Sequence, residues 1–98
     1  MVAVHELSEA ELIHISHLTQ LEELDLHRSA VTDARLAHLE GLTDLQSLIL
    51  FHTPISDAGL LRLKKLTRLR NLSIEDTKVT DAGVRELQKS LPKLTITR

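Results

Sequence analysis

The chain has 98 residues, 42% apolar and 27% charged, with a formal net charge of −2, the size and balance of one folded soluble domain. It has no Cys, Trp or Tyr, and Phe51 is its one aromatic residue, which excludes a disulfide framework, a Cys-based zinc site, a cysteine nucleophile and a platform of several stacking aromatics. The near-neutral charge gives no basic footprint for nucleic acid, and no stretch approaches the roughly 18 consecutive apolar residues of a membrane span.

The opening residues Met1-Val2-Ala3-Val4-His5 do not form a secretory leader, which leaves the compartment open with the cytoplasm as the default. Val2 stands 24 positions before Leu26, so the chain is expected to begin within a strand in register with it. Ser8 with Glu11 makes a capping-box pattern for a first helix over 8–17. Then comes Leu18-Thr19-Gln20-Leu21-Glu22-Glu23-Leu24-Asp25-Leu26, which recurs as Leu42 to Leu50 and again as Leu66 to Ile74, at an offset of 24 both times. Within each copy the pairs Leu24/Leu26, Leu48/Leu50 and Leu72/Ile74 alternate with period two, as a half-buried strand requires.

A second block follows in the same phase. It reads Val31-Thr32-Asp33-Ala34, then Ile55-Ser56-Asp57-Ala58-Gly59-Leu60, then Val79-Thr80-Asp81-Ala82-Gly83-Val84, with Leu7-Ser8-Glu9-Ala10 as a degenerate opening copy. Apolar residues then recur at helical spacing, as in Ala58, Leu60, Leu63 and Leu66. Thr32, Ser56 and Thr80 are expected N-caps, and Asp33, Asp57 and Asp81 are expected first-turn acids favoured by the helix dipole. At the far end Leu91 to Ile96 matches Leu69 to Ile74 at an offset of 22. No unit can bury its leucines alone, so successive units must stack.

Leu-x-x-Leu-x-x-Leu-x-Leu at this period resembles a leucine-rich repeat. The Val/Ile-Thr/Ser-Asp-Ala-Gly block resembles the helical half of the subtype found in F-box proteins and many bacterial arrays. The resemblance covers residues 7–96 and implies an α/β fold: a short right-handed solenoid with parallel strands on the concave face and helices on the convex face. It implies one domain over 1–98, with an N-terminal half unit at 1–17, full repeats at 18–41, 42–65 and 66–90, and a C-terminal strand or cap at 91–98. The chain departs from the pattern in two ways. Ser29, Thr53 and Thr77 stand where Asn or Cys is usual, and Arg35 replaces the Gly of the other two units, so that the first of these helices is expected to start differently.

With the leucines pointing in, their neighbours point out in columns: Glu23, Ser47 and Asn71; Asp25, Ile49 and Ser73; His27, Phe51 and Glu75; Arg28, His52 and Asp76. Ile49 and Phe51 are the apolar pair in the middle of this polar face. Such a pair reads either as a binding site or as a ring folded over a strand end beside a tolerated surface residue. Protein binding through these twelve side chains is the expected function, which the resemblance implies as a class. The alternative is a purely structural or capping segment of a longer or designed array, with no ligand of its own.

Other chemistries find little support. Among the six histidines, His14 and His17 lie three apart, His38 follows His14 by one unit, and His27 and His52 lie in adjacent columns. Their spacings match no ligand motif, so no metal or cofactor is expected. No Gly-rich phosphate loop, nucleophile elbow or His-Glu-x-x-His is present, so the chain is not expected to be an enzyme. The basic run Arg62, Lys64, Lys65, Arg68, Arg70 reads as a solvated helix face rather than a nucleic-acid site. Residues 1–49 carry nine acids against Arg28 and Arg35, whereas residues 50–98 carry ten basic residues against five acids. The dipole this makes along the stack would allow weak head-to-tail self-association, against the alternative of unselected surface charge.

Overall fold

The computed structural model describes residues 2–3 and 8–98. Five strands, β1 (Val2–Ala3), β2 (Glu23–Asp25), β3 (Ser47–Ile49), β4 (Asn71–Ser73) and β5 (Thr95–Thr97), form one parallel sheet in sequence order. Between successive strands the chain runs through a helical segment. These are α1 (Glu9–Ser16), a 3-10 helix over Arg35–Leu39, α2 (Asp57–Leu60) continued by a 3-10 helix over Leu61–Lys65, and α3 (Asp81–Ser90). No helix among the described residues is long and apolar enough to cross a membrane.

The strands are short because one leucine per strand carries the packing. Leu24, Leu48 and Leu72 pair in register and are buried, while their neighbours Glu23, Asp25, Ser47, Ile49, Asn71 and Ser73 face outward. The pairing continues past each strand, with the Leu26 N–H donating to the Ile49 carbonyl at 2.8 Å and the Leu50 N–H to that of Ser73 at 2.8 Å. The inner leucines join Leu12 and Ile15 of α1, Leu36 and Leu39, Leu60 and Leu63, and Leu87 of α3 in one apolar cluster. Each buried leucine contributes about 1.5–3 kcal/mol relative to exposure. The leucine ridges therefore share one dry interior, as stacking requires.

The two ends depart from the expected register. Val2 pairs with Leu24, not Leu26, because Ser8 follows Val2 by six positions where Thr32 follows Leu24 by eight. Ile96 pairs with Leu72, not Ile74. Leu72 to Ile96 is 24 positions, the same period as Leu24 to Leu48 and Leu48 to Leu72, so the last unit keeps the spacing of the sheet although its leucine motif matches at 22. Both displacements equal two, the period of the pleat, which is why the motif match tolerated them. Leu7 of the degenerate first copy lies outside the described residues, as does His5.

The helix starts also correct the expectation. Ser8 accepts from the Glu11 N–H at 3.2 Å and Thr80 from the Gly83 N–H at 3.4 Å, but Ser56 caps nothing. Its hydroxyl donates instead to Asp33 of the preceding unit at 2.5 Å, and its backbone N–H donates to the same carboxylate at 2.8 Å. Asp57 repeats the arrangement with Thr80, at 2.6 Å from the hydroxyl and 2.8 Å from the N–H. Asp33 and Asp57 are thus brackets between units, while Asp57 and Asp81 also stand in the first turns of α2 and α3, as expected. The glycines belong to the same device: a Cβ on Gly59 would stand 2.2 Å from Asp33 Oδ1, and one on Gly83 2.1 Å from Asp57 Oδ1. Arg35 stands at the position those glycines occupy in the other units, and its segment is a 3-10 helix starting two positions later than α2 does in its unit. Thr32 still meets the Arg35 N–H at 3.3 Å.

The hydroxyl column bonds within its own units. Thr53 donates to the Leu50 carbonyl at 2.7 Å and Thr77 to that of Ile74 at 2.8 Å. Ser29 Oγ is buried with no hydrogen-bond partner among the described residues.

Candidate functional site

The observed register assembles the outward columns. Glu23, Ser47 and Asn71 lie side by side, as do Asp25, Ile49 and Ser73. Beyond the strands, His27 and Phe51 occupy equivalent places on adjacent units, one strand spacing of about 4.7–4.9 Å apart. That spacing is the stacking distance of two flat rings, and the rings stack with centroids 4.7 Å apart and planes 17° from parallel. His52 meets Phe51 edge-on at 5.8 Å.

Both imidazoles are fixed by carboxylates. His27 Nδ1 lies 2.5 Å from Asp25 Oδ1, and the His27 backbone N–H donates to the same oxygen at 3.0 Å. The i, i+2 spacing makes this contact, since alternate strand residues share a face. His52 Nε2 stands 3.2 Å from Asp76 Oδ2. The same i, i+2 logic brings the Ser73 hydroxyl to Glu75, to which it donates.

Arg28, His52 and Asp76 form a column in backbone conformation as well as in space. All three are left-handed, with φ of 58°, 57° and 54°, a region that costs a non-glycine residue about 1–2 kcal/mol. The turn directs the Arg28 N–H to the Phe51 carbonyl at 3.0 Å and the His52 N–H to that of Glu75 at 2.9 Å. Their side chains stand exposed at the rim, while Ile49, Phe51, His27 and Glu75 are half-buried.

The remaining candidates do not converge on chemistry. His14 and His17 are exposed on and beside α1, and His38 is half-buried in the next helical segment. Among the described residues no three His, Asp or Glu side chains come together as a metal site would need. Arg62 and Arg68 of the basic run pair with Glu40 at 3.4 Å and Asp44 at 3.0 Å, acids of the preceding unit. Two carboxylates are perturbed. The hydroxyl and backbone N–H of Thr80 hold Asp57 below the usual 3.8, and the Arg98 guanidinium, by hydrogen bond and then by charge, does the same for Asp81.

No protein-family model matches the chain, and no curated protein matches it in sequence. Solved structures do share the fold. A chain of the Chaetomium Mex67:Mtr2 subunits superposes with a TM-score of 0.74 at 18% identity, over 92% of this chain and 69% of that one. A leucine-rich-repeat protein of Leptospira interrogans gives 0.62 at 18% identity over 88% of this chain, and an internalin of Listeria monocytogenes 0.55 at 20% over 87%. This chain spans 27% and 30% of the length of those last two. The fold is thus that of leucine-rich-repeat proteins.

Proposed function

We propose that the chain is a non-enzymatic interaction module: a right-handed solenoid with its sheet on the concave side and its helical segments on the convex side. Its outward sheet face, from Glu23 and Asp25 across to Glu75 and Asp76, binds a protein or peptide segment. The observation that carries this reading is Phe51, held flat against His27 and bordered by Ile49 at the centre of a face that is otherwise polar. A half-buried ring already fixed by its neighbours loses little freedom on binding, which is what an interface anchor needs. The likeness to Mex67:Mtr2 subunits, which by their name belong to an assembly, supports the same class of function.

The test is selection of random twelve-residue peptides on the immobilised protein, followed by binding to Phe51→Ala and Ile49→Ser variants. Enriched peptides are expected to bind each variant at least about tenfold more weakly, a loss of about 1.4 kcal/mol, while both variants still unfold cooperatively. Peptides that bind wild type and variants equally defeat the reading and leave a structural block.

A further inference from the structure

Resting on that reading, we infer that the segment bound by the sheet face is basic: an apolar side chain flanked by two Lys or Arg side chains whose charges stand about 10 Å apart. The spacing comes from the sheet. The middle unit presents Ser47, Ile49, Phe51 and His52, none with a formal charge when histidine is neutral, while Glu23 and Asp25 lie on the unit before and Glu75 and Asp76 on the unit after. Two strand steps of about 4.7–4.9 Å separate those flanks. Four carboxylates therefore bracket an apolar centre, with Arg28 as the guanidinium among the twelve side chains of these columns.

The second observation is where arginine and lysine go. On the helix side Glu40, Asp44, Glu86 and Asp81 each meet one: Arg62, Arg68, Lys89 and Arg98. Among the described residues none of the four sheet-face carboxylates does. Their recorded partners are the imidazoles of His27 and His52 and the Ser73 hydroxyl. Four helix-side acids are thus met by cations of the chain itself, while the four on the sheet face are left to an incoming partner. Complementary charge of this kind sets partner choice and association rate. Phe51 between the flanks supplies the apolar contact.

The experiment reads composition and salt dependence from the peptides selected above. Expected are sequences with two basic residues around an aliphatic or aromatic one, bound about tenfold more weakly when NaCl rises from about 20 to about 300 mM, where screening shortens the reach of exposed charges. The Glu23→Gln/Asp76→Asn double variant keeps shape, since asparagine tolerates the left-handed backbone at 76, and is expected to weaken these peptides about fivefold or more with its unfolding midpoint unchanged. Enrichment of neutral or acidic peptides that still depend on Phe51 overturns the charge inference and leaves the binding reading standing. Basic peptides that ignore the double variant overturn it as well. Enrichment that does not depend on Phe51 overturns both.

Discussion

The two sides of the sheet use the same residue types for different ends. On the helix side, acids and bases face each other across unit boundaries, as in Glu40–Arg62 and Asp44–Arg68, and the aspartates Asp33 and Asp57 bracket the next unit's Ser56 and Thr80. On the outward sheet face the carboxylates hold imidazoles and a hydroxyl of their own or the adjacent unit, and the apolar Ile49 and Phe51 sit among them. Exposed ion pairs are worth about 0–1 kcal/mol each, so the pairs on the helix side tune cohesion that the leucines supply. The residues that hold the fold together and those proposed to bind a partner are therefore separable, and substitutions should sort accordingly.

The largest separation is expected between two positions three residues apart in the middle unit. Leu48→Ala opens a cavity at a fully buried site and should cost about 3–4 kcal/mol in urea unfolding. Phe51→Ala, at a half-buried ring, should cost about 1 kcal/mol, its effect falling on binding instead. Equal losses at the two positions would erase the distinction.

Next come the brackets. Gly83→Ala drives a methyl group into the Asp57 carboxylate and should cost about 2 kcal/mol, the worth of the charge-assisted hydrogen bonds it displaces. In an Asp57→Ala background the same change should cost much less, and a double-mutant cycle reads the difference. Additive losses would show that the glycine is needed for another reason.

Acid sensitivity follows from the same residue. Asp57 titrates lower in the folded chain than its usual 3.8 because Thr80 donates to its ionised form. The unfolded chain therefore binds this proton first as pH falls, and the stability it confers is full above about pH 5 and is lost as pH drops through the folded value. Asp57→Asn should be less stable near neutrality and should lose less between pH 5 and pH 2, as followed by urea midpoints across that range.

The smallest expected effect separates two hydroxyls of one column. Thr53→Val removes a bond to the Leu50 carbonyl and should cost about 1 kcal/mol, while Ser29→Ala removes a buried hydroxyl with no partner among the described residues and should be neutral or stabilising by up to about 1 kcal/mol. Thermal unfolding of the two variants distinguishes them.

Much of this was legible in the residues. Three apolar pairs at an offset of 24 state the strands, their inner face and the outward columns, and the structure pairs Glu23 with Ser47 and Ser47 with Asn71 as the spacing requires. What capping logic hid was the role of Asp33 and Asp57, because an acid at a helix start has a sufficient local explanation. The signal was present as a correlation: each Asp is followed 26 positions on by Gly59 or Gly83, and the one unit with Arg35 has Glu9 before it. The register at the ends was not legible, since a motif match fixes which residues alternate but not a slip by two, which leaves every side chain on the same face. The ring stack was half legible: the column placed His27 beside Phe51, but their flat contact needed the strand spacing and the Asp25 clamp.

The most direct test is amide chemical-shift mapping of the labelled protein with the tightest selected peptide. Binding on the sheet face predicts perturbations concentrated at Ser47–His52 and at the flanking Glu23–Arg28 and Asn71–Asp76, with the helical segments quiet. Perturbations centred on Leu61–Lys65 or α3, with the strand amides unmoved, would contradict it.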